Sequence, residues 1–357
     1  MRARWIVLGV VLLGVALLGV ERLVSESQAF DRRAPIPPGG GPIDPGREPA
    51  SFRNCARCHA EIAAEWEDSL HHHSFSNPVF HAEYARNELN FCRECHAPRF
   101  VSSPAGGEQG VDCATCHLRE GRILGRFGRG EASHPIERVP ELGTSAFCAP
   151  CHQFDFPSAA HAPDLSYHPD RPLQNTLREW QRSPSARAGD TCQSCHMPRR
   201  IGRDGTYRAH DFRGRELAPD ALSVRVLARR ENGRTSVRVR IVPEHLGHAA
   251  PTGDMFRQIR LELRGGREER VHRLQRWFGP ELAEFEGEER FLLAEVDDTR
   301  VRAGRVLTLR SELPATEEVA YRLIHYRTDP DVAAERGIPA EVNALVLVEG
   351  RTQVRGQ

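Results

Sequence analysis

Hydrophobic positions take three textures along this chain. Trp5 to Val20 is an unbroken apolar run behind Arg2 and Arg4. From Asn54 to about Gly214, apolar residues are scattered among cysteine, histidine, glycine and proline, which predicts short helical fragments with many breakers. Beyond Leu217 cysteine vanishes and strict alternation appears, in Val224-Arg225-Val226 and in Val237-Arg238-Val239-Arg240-Ile241. These two runs flank Glu231-Asn232-Gly233, a hairpin turn signal. Further strand-like runs are Ile259 to Leu263, Phe291 to Val296, Val306 to Leu313, Val319 to Tyr326 and Ala344 to Val348. With Val, Ile and Leu on one face and Arg and Glu on the other, the pattern predicts an antiparallel β-sandwich with a solvated outer face.

The predicted organisation is therefore α + β and multidomain. Residues 1–29 read as an export signal, with Ser27-Gln28-Ala29 as a small-x-small cleavage site. The apolar run is short for a membrane span, which needs about 20 residues. An uncleaved N-terminal anchor is the alternative, because Glu21 and Arg22 follow the run closely. Residues 30–50 hold the Pro/Gly-rich stretch from Ala34 to Pro49 and read as a semi-extended linker. Residues 51–218 form a mostly helical or irregular domain, and residues 219–357 the β-sandwich.

Charge narrows the function. Forty-nine basic and 49 acidic side chains cancel, which gives no support for a nucleic-acid surface. Every basic side chain among the 49 is arginine. Aromatic residues are 7% of the chain, thin for a core filled by side chains alone.

The cysteines supply the missing chemistry. All 10 fall into C-x-x-C-H motifs: Cys55–Cys58–His59, Cys92–Cys95–His96, Cys113–Cys116–His117, Cys148–Cys151–His152 and Cys192–Cys195–His196. Two thiols so spaced add across the two vinyl groups of one porphyrin, and the following imidazole sits beneath the iron. Zinc half-sites, redox dithiols or disulfides predict neither a histidine after every second cysteine nor the absence of a leftover cysteine. Five covalently attached haem c (heme c) groups are expected, and their attachment outside the cytoplasm agrees with an export signal. So many macrocycles on so little chain must pack against one another, which makes a path for electrons.

Twelve of the 17 histidines lie outside the motifs: His71, His72, His73, His81, His134, His161, His168, His210, His245, His248, His272 and His325. Bis-histidine ligation explains most of them; for any single one, an ordinary surface histidine is the alternative. Of three methionines, Met1 goes with the signal, Met197 adjoins a motif histidine and cannot cross to the other face of the same haem, and Met255 is left. Low reduction potentials follow, since methionine ligation raises them.

The chain resembles multihaem cytochromes of the family that includes the tetrahaem electron carrier of ammonia oxidisers, over roughly residues 51 to 260. The likeness lies in Cys58-His59-Ala60-Glu61-Ile62 with Trp66 to His71, in Gly110 to Cys113, and in Phe147 to Phe154. It continues in Gln174 to Trp180, Cys192 to Pro198, His210 to Gly214 and Gly247 to Gly253. The resemblance implies distal-ligand roles for His71, His134, His210 and His248. His248 would tie the β domain to the haems; a plain turn is the alternative for its Gly/Pro-rich segment. At about 100° per residue, Ile62, Trp66, Leu70 and His73 share a helical face with His59, while His71 points away. If that helix persists, His73 is a fifth distal candidate, with His81, His161 and His168 as rivals.

Two classes of function follow. The first is an exported, periplasmic electron carrier working with redox partner proteins, either other cytochromes or a membrane quinol-linked complex. The second is a multihaem oxidoreductase acting on a small nitrogen or sulfur oxyanion at one open haem. A lysine-ligated catalytic haem is impossible in a chain without lysine, which favours the carrier; Tyr207 or Tyr167 near a distal face would change that balance. The β domain as a docking unit for a partner fits either class.

Overall fold

The computed structural model describes residues 55–356 apart from 87, 99–109, 120–121, 128–133, 157–167, 169–170, 204 and 286. The signal and linker assigned above lie outside the described residues. Among the described residues no helix is long and apolar enough to cross a membrane.

The motif-bearing region is built from short pieces, as its breakers dictate. Its helices are α1 (Ala60–Glu67), α2 (Pro78–Tyr84), α3 (Asn90–His96), α4 (Cys113–His117), α5 (Ala149–His152), α6 (Thr176–Gln181), α7 (Pro184–Arg187) and α8 (Cys192–His196). Between them run β1 (Leu118–Arg119), β2 (Arg122–Gly125) and β3 (Glu137–Arg138) as one small sheet. The pairs β4 (Gln153–Asp155) with β5 (Pro172–Asn175), and β6 (Arg199–Gly202) with β7 (Gly205–Arg208), are two-stranded. Helix α1 stops at Glu67, short of His73. The Ser69 hydroxyl donates to the Trp66 carbonyl and accepts from the His72 amide, ending the α-helix; a separate 3-10 turn then carries His72–Ser74.

A connecting helix α9 (Ala218–Ala221) leads into the strand-rich region. It comprises β8 (Leu222–Glu231), β9 (Arg234–Pro243), β10 (Gln258–Gly265), β11 (Glu268–Leu274), β12 (Arg276–Phe285), β13 (Glu288–Asp298), β14 (Leu307–Pro314), β15 (Glu318–Tyr326) and β16 (Ala344–Arg355). Helices α10 (Pro330–Glu335) and α11 (Ala340–Asn343) interrupt the last connection. Asn232 and Gly233 turn the β8–β9 hairpin with φ of 51° and 74°, both in the left-handed region that a type I′ turn requires.

Seven strands form one sheet in the order β11-β10-β15-β16-β8-β9-β14, and β12–β13 stands apart as a two-stranded arm. Alternation drives the burial: Val237, Val239 and Ile241 on β9 are fully buried, while Arg238 and Arg240 between them are exposed. Ile259, Leu261, Leu263, Leu313, Val319 and Leu323 close the same core. The sheet curls until its two end strands meet, where His272 Nε2 and Ser311 Oγ share a 2.6 Å hydrogen bond. The expected antiparallel sandwich is corrected twice: the core strands form one sheet closing on itself instead of two packed sheets, and β16, 12 residues long and antiparallel to β15, reaches β8 in parallel at Val354 and Arg355.

Three buried or part-buried arginines are among the contacts that join the sheet region to the motif-bearing region. Arg276, with its side chain 2% exposed, donates to the carbonyls of Leu173 (2.6 Å) and Pro172. Arg336, just after α10, pairs with Glu83 on α2. Arg300 lies 2.8 Å from Glu179 on α6.

Candidate functional site

Each C-x-x-C-H motif occupies a single helical turn. Helical spacing sets residues three and four apart on one face, so both thiols and the imidazole point the same way. In the first motif the amides of Cys58 and His59 donate to the Cys55 carbonyl at 3.2 and 2.9 Å. Side chains start the later turns: Asp112 accepts from the Thr115 amide at 2.9 Å, and Thr191 and Ser194 cap α8 reciprocally. Motifs far apart in sequence touch through their thiols. Cys55 hydrogen-bonds with Cys113, Cys95 with Cys151, and Cys148 with Cys192. The fourth motif therefore touches both the second and the fifth, and the first touches the third.

The imidazoles are oriented by backbone carbonyls. Nδ1–H donates to Ser74 O from His96 (2.8 Å) and to Leu124 O from His117 (2.9 Å). His210 donates likewise to Arg208 O (2.7 Å), His248 to Ala249 O (2.8 Å), and His196 to Arg213 O. Such bonds select the tautomer with a free Nε2 lone pair, the form a metal binds.

Four motif histidines face a second histidine. Ring centres are 6.3 Å apart for His59 and His134, 6.3 Å for His71 and His152, 6.2 Å for His117 and His210, and 6.1 Å for His196 and His248. That separation is too wide for ring stacking and too constant for chance. Two metal–imidazole bonds of about 2.0 Å, each with about 1.1 Å from nitrogen to ring centre, would place two imidazoles on one iron roughly 6.2 Å apart. The residues present thus fit a six-coordinate iron between each pair. Among the described residues, no three His, Cys, Asp or Glu side chains gather as an all-protein metal cage; the histidines come in twos. The buried Trp180 Nε1–H, without a protein partner, adds to the fit, since a haem carries propionates that accept hydrogen bonds.

Burial keeps five of these imidazoles neutral. It pushes His71 down to about 3, with His152 and His196 adding to the effect. His152 falls to about 4, through burial and then His196, and His210 to about 4 through burial and then His117. Burial also lowers His117 and His248. A neutral imidazole is a lone-pair donor, so each of these groups is ready to ligate.

His96 differs. Phe80 stacks on its ring at 3.9 Å and 14°, and among the described residues no histidine faces it as in the four pairs. Burial lowers its pKa, opposed by the hydrogen bond to Ser74 and the carboxylate of Asp254, while Arg257 lowers it further. His73 lies against His72 at 4.6 Å and within 3.5 Å of Ser76 Oγ, not opposite a motif histidine. His81 packs edge-on to Phe75 and Phe80. The His168 amide donates to Leu293 O on the β12–β13 arm, while His161 and Tyr167 lie outside the described residues. Tyr207 donates to Glu65 at 2.8 Å.

Gly110 holds the His71 segment in place. It sits at φ 57°, and a Cβ there would meet the carbonyl oxygens of His71 and His72. The Val111 amide next to it donates to His71 O at 2.8 Å, and Val111 O accepts from Trp66 Nε1 at 2.8 Å. Sequence reasoning passed over a set of carboxylates and arginines behind the distal histidines: Glu65, Glu179, Arg200 and Arg300. Their signal was a repeated phrase, Glu65-Trp66-Glu67-Asp68-Ser69 and Glu179-Trp180-Gln181-Arg182-Ser183.

No protein-family model matches the sequence, and no curated protein matches it. Among solved structures the chain is similar to a penta-heme cytochrome c552 from Thermochromatium tepidum. The TM-score is 0.65 at 20% identity, over 85% of this chain and 98% of that one. At this identity the likeness is one of fold: the chain shares the fold of that protein.

Proposed function

We propose that this chain is an exported multihaem cytochrome c that carries single electrons along closely packed haems in a respiratory or extracellular electron-transfer chain. The observation that carries the reading is the set of four histidine pairs at 6.1–6.3 Å, each joining one motif histidine to a distant one. His59/His134, His152/His71, His117/His210 and His196/His248 would hold four irons, and His96 a fifth. Haem supplies a reversible one-electron couple. The protein would attach the macrocycle through the paired cysteines and fixes the imidazoles of His96, His117, His196, His210 and His248 by their Nδ1–H bonds. Contacts between thiols of different motifs bring macrocycle edges together, the condition for fast transfer. Periplasmic location rests on the export signal, and redox partners are other cytochromes or a quinol-linked complex.

His96 favours a second reading, an oxidoreductase for a small nitrogen or sulfur oxyanion, because a haem there has no histidine facing it among the described residues and lies near Arg257. Carbon monoxide separates the two. A carrier with every haem six-coordinate gives no carbon monoxide difference spectrum when reduced. A carbon monoxide band from one haem, abolished by replacing His96, moves the assignment to the oxidoreductase.

A further inference from the structure

The two Glu-Trp-x-x-Ser phrases fold alike. In each, the serine amide donates to the tryptophan carbonyl, at 2.9 Å for Ser69 and 2.8 Å for Ser183, and the glutamate faces a distal histidine. Glu65 on α1 accepts the His210 backbone N–H at 2.8 Å and pairs with Arg200, whose other nitrogen pairs with Asp211 at 2.6 Å. Glu179 on α6 accepts the Ala249 N–H at 3.2 Å and the Thr252 hydroxyl at 2.7 Å. Its other oxygen lies 2.8 Å from Arg300, off the hydrogen-bond direction; Arg300 in turn grips Asp298 at 2.8 Å and donates to Pro251 O at 3.0 Å.

The two sites share one plan: a glutamate on the helix, an arginine and an aspartate, closing on the backbone that carries a distal imidazole. At His210 the pinned amide is the histidine's own. At His248 it belongs to Ala249, whose carbonyl accepts the His248 Nδ1–H. The His196 and His248 rings lie 6° from parallel, so the second site holds not only distance but rotation.

We propose that Glu65 and Glu179 are positioning residues, each the centre of a Glu–Arg–Asp clip that sets the orientation of one axial histidine, His210 and His248 respectively. The proposal rests on the reading of these histidines as haem ligands. Each clip crosses between segments distant in sequence. The first ties α1 to the β6–β7 hairpin and the residues after it. The second ties α6 to the loops before β10 and after β13, so that a residue of the sheet region reaches a haem of the motif-bearing region in register. Each glutamate also adds negative charge close to an iron, which favours the ferric state.

The test uses the full holoprotein with Glu179→Gln, Glu65→Gln and, as a control, Glu288→Gln on the exposed end of the β12–β13 arm. Pyridine haemochrome gives the haem number, electron paramagnetic resonance reports imidazole plane angles, and redox titration reports each potential. Expected for Glu179→Gln are an unchanged haem number, altered g-values of one haem and a positive shift of one potential. Glu65→Gln does the same to a different haem, and it serves if the buried second clip fails to assemble, because Arg200 is 39% exposed where Arg300 is 3%. The control changes nothing. Unaltered g-values and potentials in both variants, with four bis-histidine haems still present, overturn the clips and leave the cytochrome reading standing. Absence of bis-histidine signals from the unsubstituted protein instead overturns the reading beneath them.

Discussion

The two regions of this molecule bury different things. In the sheet region the buried centre is aliphatic: Val237, Val239, Ile241, Ile259, Leu261, Leu263 and Leu323 are at most 1% exposed. Such side chains each contribute about 1.5–3 kcal/mol when removed from water, so this region carries its own driving force for folding. In the motif-bearing region the buried hydrophobic residues among those described are fewer: five alanines, Ala63, Ala97, Ala114, Ala149 and Ala209, and five larger side chains, Trp66, Tyr84, Leu124, Phe156 and Leu177. Between them stand neutral imidazoles and thiols. So sparse an apolar core around paired histidines fits the proposed reading, in which macrocycles would fill the rest. The difference teaches which half depends on its cofactor to fold.

Withholding haem attachment breaks the comparison most severely. In a chain with all ten cysteines replaced by serine, hydrogen exchange is expected to show collapse of protection across residues 55–217 and retained protection in β8–β10 and β14–β16. Equal loss in both regions would remove the distinction. Leu261→Ala acts on the other side. It should cost the sheet region about 2–5 kcal/mol by loss of burial and creation of a cavity, measured by denaturant unfolding followed in the far ultraviolet. The haems ligated by His134, His71 and His210 should keep their g-values.

Gly110→Ala is expected to cost about 1–3 kcal/mol, since a residue with a side chain is strained at positive φ and the methyl group meets the His71 turn. Its optical signature should fall on the haem of His152 and His71, and a variant in which a different haem responds would refute the placement. Arg351→Ala should change stability by less than about 1 kcal/mol, because its pair with Glu318 is exposed and screened. Thermal unfolding checks it, and a large loss would show that the outer face is not merely solvated.

Sheet positions were legible wherever alternation was strong. The β8–β9 hairpin follows from its valines and its Asn-Gly turn, and the runs read at Ile259 to Leu263 and Val319 to Tyr326 fall inside β10 and β15. Strands β11 and β12 escaped notice; an exposed strand such as Glu268–Leu274 is mostly charged and shows no apolar face. The far half of β16 was missed for a similar reason: Glu349, Arg351 and Gln353 alternate as exposed polar residues on one face of an interior strand. In the site, the motif histidines are readable because their spacing is local. Which distal histidine meets which motif depends on contacts between segments far apart, and periodicity carries no such information. Helical phase placed His73 beside His59, but Ser69 ends the helix before phase can act.

The most direct measurement is the axial ligation of the five haems in the ferric holoprotein, read by near-infrared magnetic circular dichroism beside electron paramagnetic resonance. At least four are expected to be low-spin with two imidazoles, one for each histidine pair, and His248→Ala should remove one of the four. Fewer than four bis-imidazole haems, or an unchanged count after that substitution, would contradict the assignment.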